Sequence, residues 1–401
     1  MRTTRVWRRR GAAGLAAATL LVGVAIHGAQ ATPKIITKRT LAPGVVYEQI
    51  SDSAYPIRGY VLFFDGSATA TSLDQVLSAP QVGTFQKTSV MSANAGAIAG
   101  VNGDLNDWPA RPTHQYVSNG MPIQTSTPPG ISLGLRQDKR GATITRSALK
   151  ISATDAATKT TVAVSSWNNA DPTTDQVVGY SWYGGRYSKP GTNECSARLI
   201  SPGQVRWNTG KDGTGRDYTV DAVRCSSSTP MTVNSASTVV LSSKLVGKGA
   251  TFIKSLKVGG TVHVGWSDGT IGAVDVVSGS ADILDNGVIQ YASSCNTDLC
   301  QKNPRTAVGI TAGGEVIIMV VDGRSPGSYG LTLYQLGKEM KALGAVNAVN
   351  LDGGGSATMW IKGLGVVNHP TDSTGERPVS NAIVILPRAN PSEPIPAAPR
   401  I

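Results

Sequence analysis

Histidine is scarce in this 401-residue chain. There are four, and only His114, His263 and His369 lie beyond the first 31 residues. No H-E-x-x-H accompanies them, which argues against a zinc hydrolase. Charged residues make up only 16%, against roughly 25% in an ordinary soluble domain. That shortage speaks against a coiled coil, a disordered tail protein and a helix-rich bundle. A G-x-x-x-x-G-K-[ST] phosphate loop is missing, and so is the closing glycine of a nucleophile elbow around Ser356. Beyond the N-terminal segment no apolar run is long enough to span a bilayer. What is abundant is glycine, 46 residues, with 22 prolines. Together they stay below the ~25–30% that signals disorder. The balance describes a loop-rich, strand-rich globular protein.

The formal charge of +11 is concentrated at the start, with Arg2, Arg5, Arg8, Arg9 and Arg10 in the first ten positions. An uncharged stretch from Gly11 to Thr32 follows and contains Ala29-Gln30-Ala31. A basic start, an apolar middle and small residues at −3 and −1 predict a secretory signal peptide over 1–31. Its removal leaves a charge of +6. The expected location is therefore extracellular, with no stable membrane span after cleavage. No Lys/Arg run survives cleavage, so nucleic acid is not an expected partner.

Four cysteines remain, Cys195, Cys225, Cys295 and Cys300. An even count in an exported chain predicts disulfides, and proximity favours Cys195–Cys225 with Cys295–Cys300 among the three pairings. Residues 32–94 read as a strand-rich entry region, with a short helix expected at Ser72–Ser78. Residues 95–387 form the main expected domain, with a long strand-rich middle, and 388–401 a proline-rich tail.

The fold class expected is α+β, with a mixed sheet and a βαβ unit over about 315–351. Glu315–Val321 is nearly continuously apolar and β-branched, as in a strand buried on both faces. Thr332 and Gln335 are spaced as a capping box, and Leu333, Leu336, Met340 and Leu343 recur at helical spacing before Gly344. Ala345–Leu351 then returns as a strand. A right-handed parallel crossover brings Asp322 and Asp352 to one carboxyl edge. Two acids at one edge point to catalysis or to metal binding.

Asp352-Gly353-Gly354-Gly355-Ser356 lets backbone N–H groups approach an anion, with Ser356 and Thr358 adding hydroxyls. Arg305 and Arg324 flank the first strand and are suited to phosphate. The ordered set Asn303–Gly309, Asp322-Gly323-Arg324, Gly330-Leu331-Thr332, Asn350–Ser356 and Glu376–Asn381 resembles the phosphodiester glycosidase family. Gly100–Asp104 resembles that family's early Asn-Gly motif, although Leu105 stands where an aromatic residue is usual.

The resemblance implies hydrolysis of a sugar-1-phosphodiester at the anomeric carbon–oxygen bond, releasing free sugar and a phosphomonoester. The substrate expected is a phosphorylated glycan, such as a cell-wall or extracellular glycopolymer. Such a step needs phosphate-binding groups, for which Arg305, Arg324, Gly353, Gly354, Gly355 and Ser356 are the candidates. It also needs a carboxylate: Asp352 first, then Asp322, then Glu376. Asn102, Asp104, Asn350, Thr358, Asn368, Arg377 and Asn381 are the candidates for contacting the sugar. No cofactor is expected to be required. Asp104, Asp322, Asp352 and Glu376 are ligand types suited to a structural calcium or magnesium ion. A metal-dependent phosphodiesterase and a noncatalytic polysaccharide-binding protein are the alternatives.

Overall fold

A computed structural model describes residues 33–388, apart from 53–54, 108–109, 127–129, 137, 147, 186–192, 202–207, 211–212, 228, 230 and 268–272. The expected leader and all but Arg388 of the expected tail lie outside the described residues.

The strand Val316–Val321 is buried along its whole length because it has a packed layer on each side. Ile317, Met319 and Val321 face a helix, where they meet Leu333, Leu336 and Met340. Val316, Ile318 and Val320 face the main core with Leu62, Phe64 and Val308. Both faces being apolar is what makes the sequence read as an unbroken apolar run.

The helix covers Leu333–Ala342. Thr332 Oγ1 accepts from Gln335 N–H at 3.1 Å, and Gln335 Oε1 accepts from Thr332 N–H at 3.0 Å, so the capping box is formed in both directions. The chain leaves the helix through Gly344, at φ 102°, and returns as the strand Ala345–Asn350.

The two strands around the helix do not pair with each other. Arg305–Thr311 lies between them and is antiparallel to both, with Arg305 opposite Val321 and Ala307 opposite Asn350. The expected adjacent parallel pair is therefore replaced by a split arrangement. Both strands still run in the same direction, so Asp322 and Asp352 leave the sheet at the edge where Arg305 enters it. Lys34–Ala42, Val45–Asp52 and Ile57–Phe64 extend this sheet on one side, and Ala281–Asp285 and Val288–Ile289 on the other.

A second sheet closes on itself. The strands Glu194–Ile200, Thr238–Lys244, Val177–Ser181, Thr161–Trp167, Lys150–Asp155, Thr261–Ser267 and Gly213–Cys225 follow one another, and the last pairs back to the first. One pair in this barrel, Thr161–Trp167 with Val177–Ser181, is parallel, which makes the sheet mixed.

The short helix expected at Ser72–Ser78 is a strand, Thr71–Leu77. It pairs residue for residue with Asn381–Pro387, from Leu77 opposite Asn381 to Thr71 opposite Pro387. Seven cross-strand partners, with Leu73 fully buried, override a weak local helix preference.

Both expected disulfides are present. Cys195 and Cys225 face each other across neighbouring barrel strands, and Cys295–Cys300 closes a tight loop. Paired cysteines are the form favoured in oxidising compartments. Among the described residues no helix is long and apolar enough to cross a membrane. Replacing Cys195 and Cys225 together by Ser should lower unfolding stability by about 3.6 kcal/mol, measured by urea denaturation, given that the link spans 30 residues.

Candidate active site

The sheet edge opens into a cleft of about 240 Å³ lined by Arg305, Arg324, Arg377, Asn350, Asp352, Asp298 and Gly353–Gly355, among others. Three cations and two acids thus share one small space.

Arg305 is the most constrained of the cations, being only 3% exposed. Its Nε donates to Leu331 O at 2.9 Å, and Nη2 donates to Leu299 O at 2.7 Å and Gln301 O at 2.6 Å. Among the described residues no carboxylate pairs with it. Burial, and then the nearby Arg324 charge, push its pKa down to about 10. It is still a cation at neutral pH. Arg324, at φ 54°, is exposed and donates to Asn303 Oδ1 at 2.8 Å. Arg377 donates through Nε to Asp372 Oδ2 at 2.7 Å and lies flat against Gly355. A Cβ at Gly355 would come within 2.6 Å of its Nη2, so glycine is what admits the guanidinium there.

Asp352 is 8% exposed. Burial pushes its pKa up to about 6, while the Ser356 hydroxyl, the Gly353 N–H and the Arg377 charge pull the other way. Oδ1 accepts from Gly353 N–H at 2.8 Å, and Oδ2 accepts from Asn106 Nδ2 at 3.3 Å. A buried carboxyl that titrates near 6 can exchange a proton at working pH.

The glycine run is used differently from an open anion nest. Gly353 N–H serves Asp352, and Gly354 N–H donates to Pro304 O at 2.9 Å. These two groups shape the loop and hold its acid.

The remaining sequence candidates divide between the cleft and its scaffold. Asn350 lines the cleft, donates to Ser280 Oγ and Leu351 O, and leaves its buried Oδ1 without a partner among the described residues. Thr358 Oγ1 is likewise buried and unpartnered, and its N–H donates to Asn102 Oδ1. Asn102 also donates to Asp352 O at 2.7 Å and accepts from Thr306 Oγ1 at 2.7 Å. Asn368 closes a turn between Ala357 O and Met359 N–H. Asn381 accepts from Asp104 N–H and donates to Ser380 Oγ.

Asp322 does not line the cleft. Its carboxylate accepts from Tyr60 Oη at 3.0 Å and His369 N–H at 2.7 Å, with Arg58 Nε 3.6 Å away. Glu376 accepts from Ser89 N–H at 2.7 Å and Ser89 Oγ at 2.6 Å, at the start of the short helix Thr88–Asn94. Asp104 is fully buried and accepts from the N–H groups of Leu105 and His114, with His114 Nδ1 2.7 Å away. Among the described residues no three His, Cys, Asp or Glu side chains gather as a metal site. Asp104, Asp322, Asp352 and Glu376 accordingly do not gather at one point among the described residues.

Asp298 and Asn106 join the site without having been candidates in the sequence. For Asp298 a signal was there to read, an acid enclosed by two nearby cysteines just before the Asn303-Pro304-Arg305 motif.

Residues 226–386 match the model of the phosphodiester glycosidase family. Over 88 residues the chain is 39% identical to the SPbeta prophage-derived uncharacterized protein YomE of Bacillus subtilis, covering 22% of this chain and 13% of that one. Over 113 residues it is 30% identical to the N-acetylglucosamine-1-phosphodiester alpha-N-acetylglucosaminidase of Bos taurus, covering 25% and 21%. The matches thus span about a fifth or less of these relatives' own lengths. A crystal structure of a hypothetical protein from Synechocystis shares the fold, with a TM-score of 0.67 at 16% identity over 89% of this chain and 64% of that one.

Carbon-13 NMR of labelled aspartate should show one carboxyl titrating near pH 6, absent in Asp352→Asn. Arg377→Ala removes a charge that favours the ionised form, so it should move that midpoint upward.

Proposed function

We propose that this protein is a secreted hydrolase that cleaves a sugar-1-phosphodiester at the anomeric carbon–oxygen bond. The observation that carries the proposal is the pairing of buried Asp352 with the arginine group of one cleft, within a phosphodiester glycosidase segment. The substrate is a phosphorylated glycan, such as an extracellular or cell-wall glycopolymer. Nucleic acid is not assigned as a partner, and no step is assigned to a metal.

The phosphate of the diester binds against Arg305 and Arg324, with Arg377 on the Gly355 side. As the carbon–oxygen bond breaks, its electron pair leaves with the phosphomonoester, and the guanidinium groups stabilise that charge. A phosphomonoester is a far better leaving group than a sugar hydroxyl, so cationic stabilisation replaces much of a general acid's work. Asp352, ionised above about pH 6, accepts a proton from the attacking water. Asn350 Oδ1 is an acceptor for a sugar hydroxyl. Asp322 and Glu376 act as scaffold, through the loop at His369 and through the helix at Ser89.

The test is hydrolysis of a defined N-acetylglucosamine-1-phosphodiester in oxygen-18 water. Label should appear in the sugar, and Asp352→Asn should lose on the order of 10²–10⁴ in turnover. Label in phosphate would instead establish attack at phosphorus and refute the proposal. Turnover should rise with pH through about 6, as Asp352 ionises.

A further inference from the structure

Hydrolysis at an anomeric carbon generally employs two carboxylates beside the sugar. Asp322 and Glu376 are committed to Tyr60, His369 and Ser89 outside the cleft. Among the described residues lining the cleft, the acids are Asp352 and Asp298. Asp298 opens the one-turn helix Asp298–Cys300, inside the loop closed by Cys295 and Cys300. It is exposed, and among the described residues no hydrogen bond or ion pair engages its carboxylate.

The same loop positions Arg305. The carbonyls of Leu299 and Gln301, on either side of Cys300, both accept from Arg305 Nη2. One disulfide-closed turn therefore sets an acid and the buried guanidinium relative to each other.

The geometry points to Asp298 as the second carboxylate of the cleft, standing ionised beside the sugar and stabilising the positive charge that develops at the anomeric carbon. This inference rests on the glycosidase reading. The electron pair of the breaking bond leaves with the phosphomonoester. Water adds its oxygen to the sugar carbon, and its proton goes to Asp352. Asp298 enters and leaves the step ionised.

The experiment compares wild type, Asp298→Asn and Asp298→Glu on the N-acetylglucosamine-1-phosphodiester, with thermal melting and titration by inorganic phosphate at pH 7.5. Asp298→Asn should lower turnover at least about 100-fold, the scale of removing one electrostatic stabiliser. Its melting temperature should be unchanged. Phosphate affinity should hold, or tighten up to about tenfold, because a negative charge has left an arginine-lined cleft. Asp298→Glu should recover part of the turnover. Turnover of Asp298→Asn within about threefold of wild type would overturn the assignment, as would an equal loss of turnover and phosphate binding. Wild type that binds phosphate but cleaves no glycan phosphodiester would overturn the glycosidase reading, and with it this role.

Discussion

The cleft depends on one buried amide. Asn102 uses its side chain to join the carbonyl of Asp352, the hydroxyl of Thr306 and the N–H of Thr358. Those groups come from segments far apart in sequence, and all of them meet at the sheet edge. A buried amide satisfied on both ends fixes register, because any slip leaves a polar group unpaired. Gly103, the next residue, could carry no side chain, since a Cβ there would collide with Asn381 Oδ1. The Asn-Gly pair thus acts as a bracket for the loop that carries Asp352.

On that bracket the protein holds charges in an unfavourable setting. Burial pushes Asp352 up to about 6 and Arg305 down to about 10, each toward its neutral form. Arg305 is held by carbonyls, which orient it without neutralising it. Desolvated, uncompensated cations are costly in a fold that gains nothing from them. A bound anion offsets that cost, and a phosphodiester supplies one negative charge before cleavage and more after it. In the proposed reaction the gain in charge occurs on the leaving group, where differential stabilisation accelerates a reaction.

Much of the C-terminal half was legible because its signals are local. The capping box at Thr332 and Gln335, the glycine exit at Gly344 and the double-sided apolar strand each follow from residues within one element. Cysteine proximity was enough for both disulfides. What could not be read depends on distant partners. The insertion of Arg305–Thr311 between two strands that the helix connects is a tertiary choice, and so is the pairing that makes Thr71–Leu77 a strand. Asp322 and Glu376 stood behind Asp352 as candidate carboxylates along the chain. Their fates were decided by Tyr60 and Ser89, more than 250 residues away. The glycine run was read as close approach to an anion, and the neighbours it approaches are Pro304, Arg324 and Arg377.

The most direct test of this account uses an anion that does not itself titrate. Sulfate binding should be measured by calorimetry from pH 5 to 7.5, with wild type and Arg324→Gln, a change confined to an exposed side chain. The account predicts binding that tightens below about pH 6, as Asp352 loses its charge, and that weakens in the variant. Absent binding, or binding indifferent to both pH and Arg324, would contradict the claim that this cleft is an anion site governed by one buried acid.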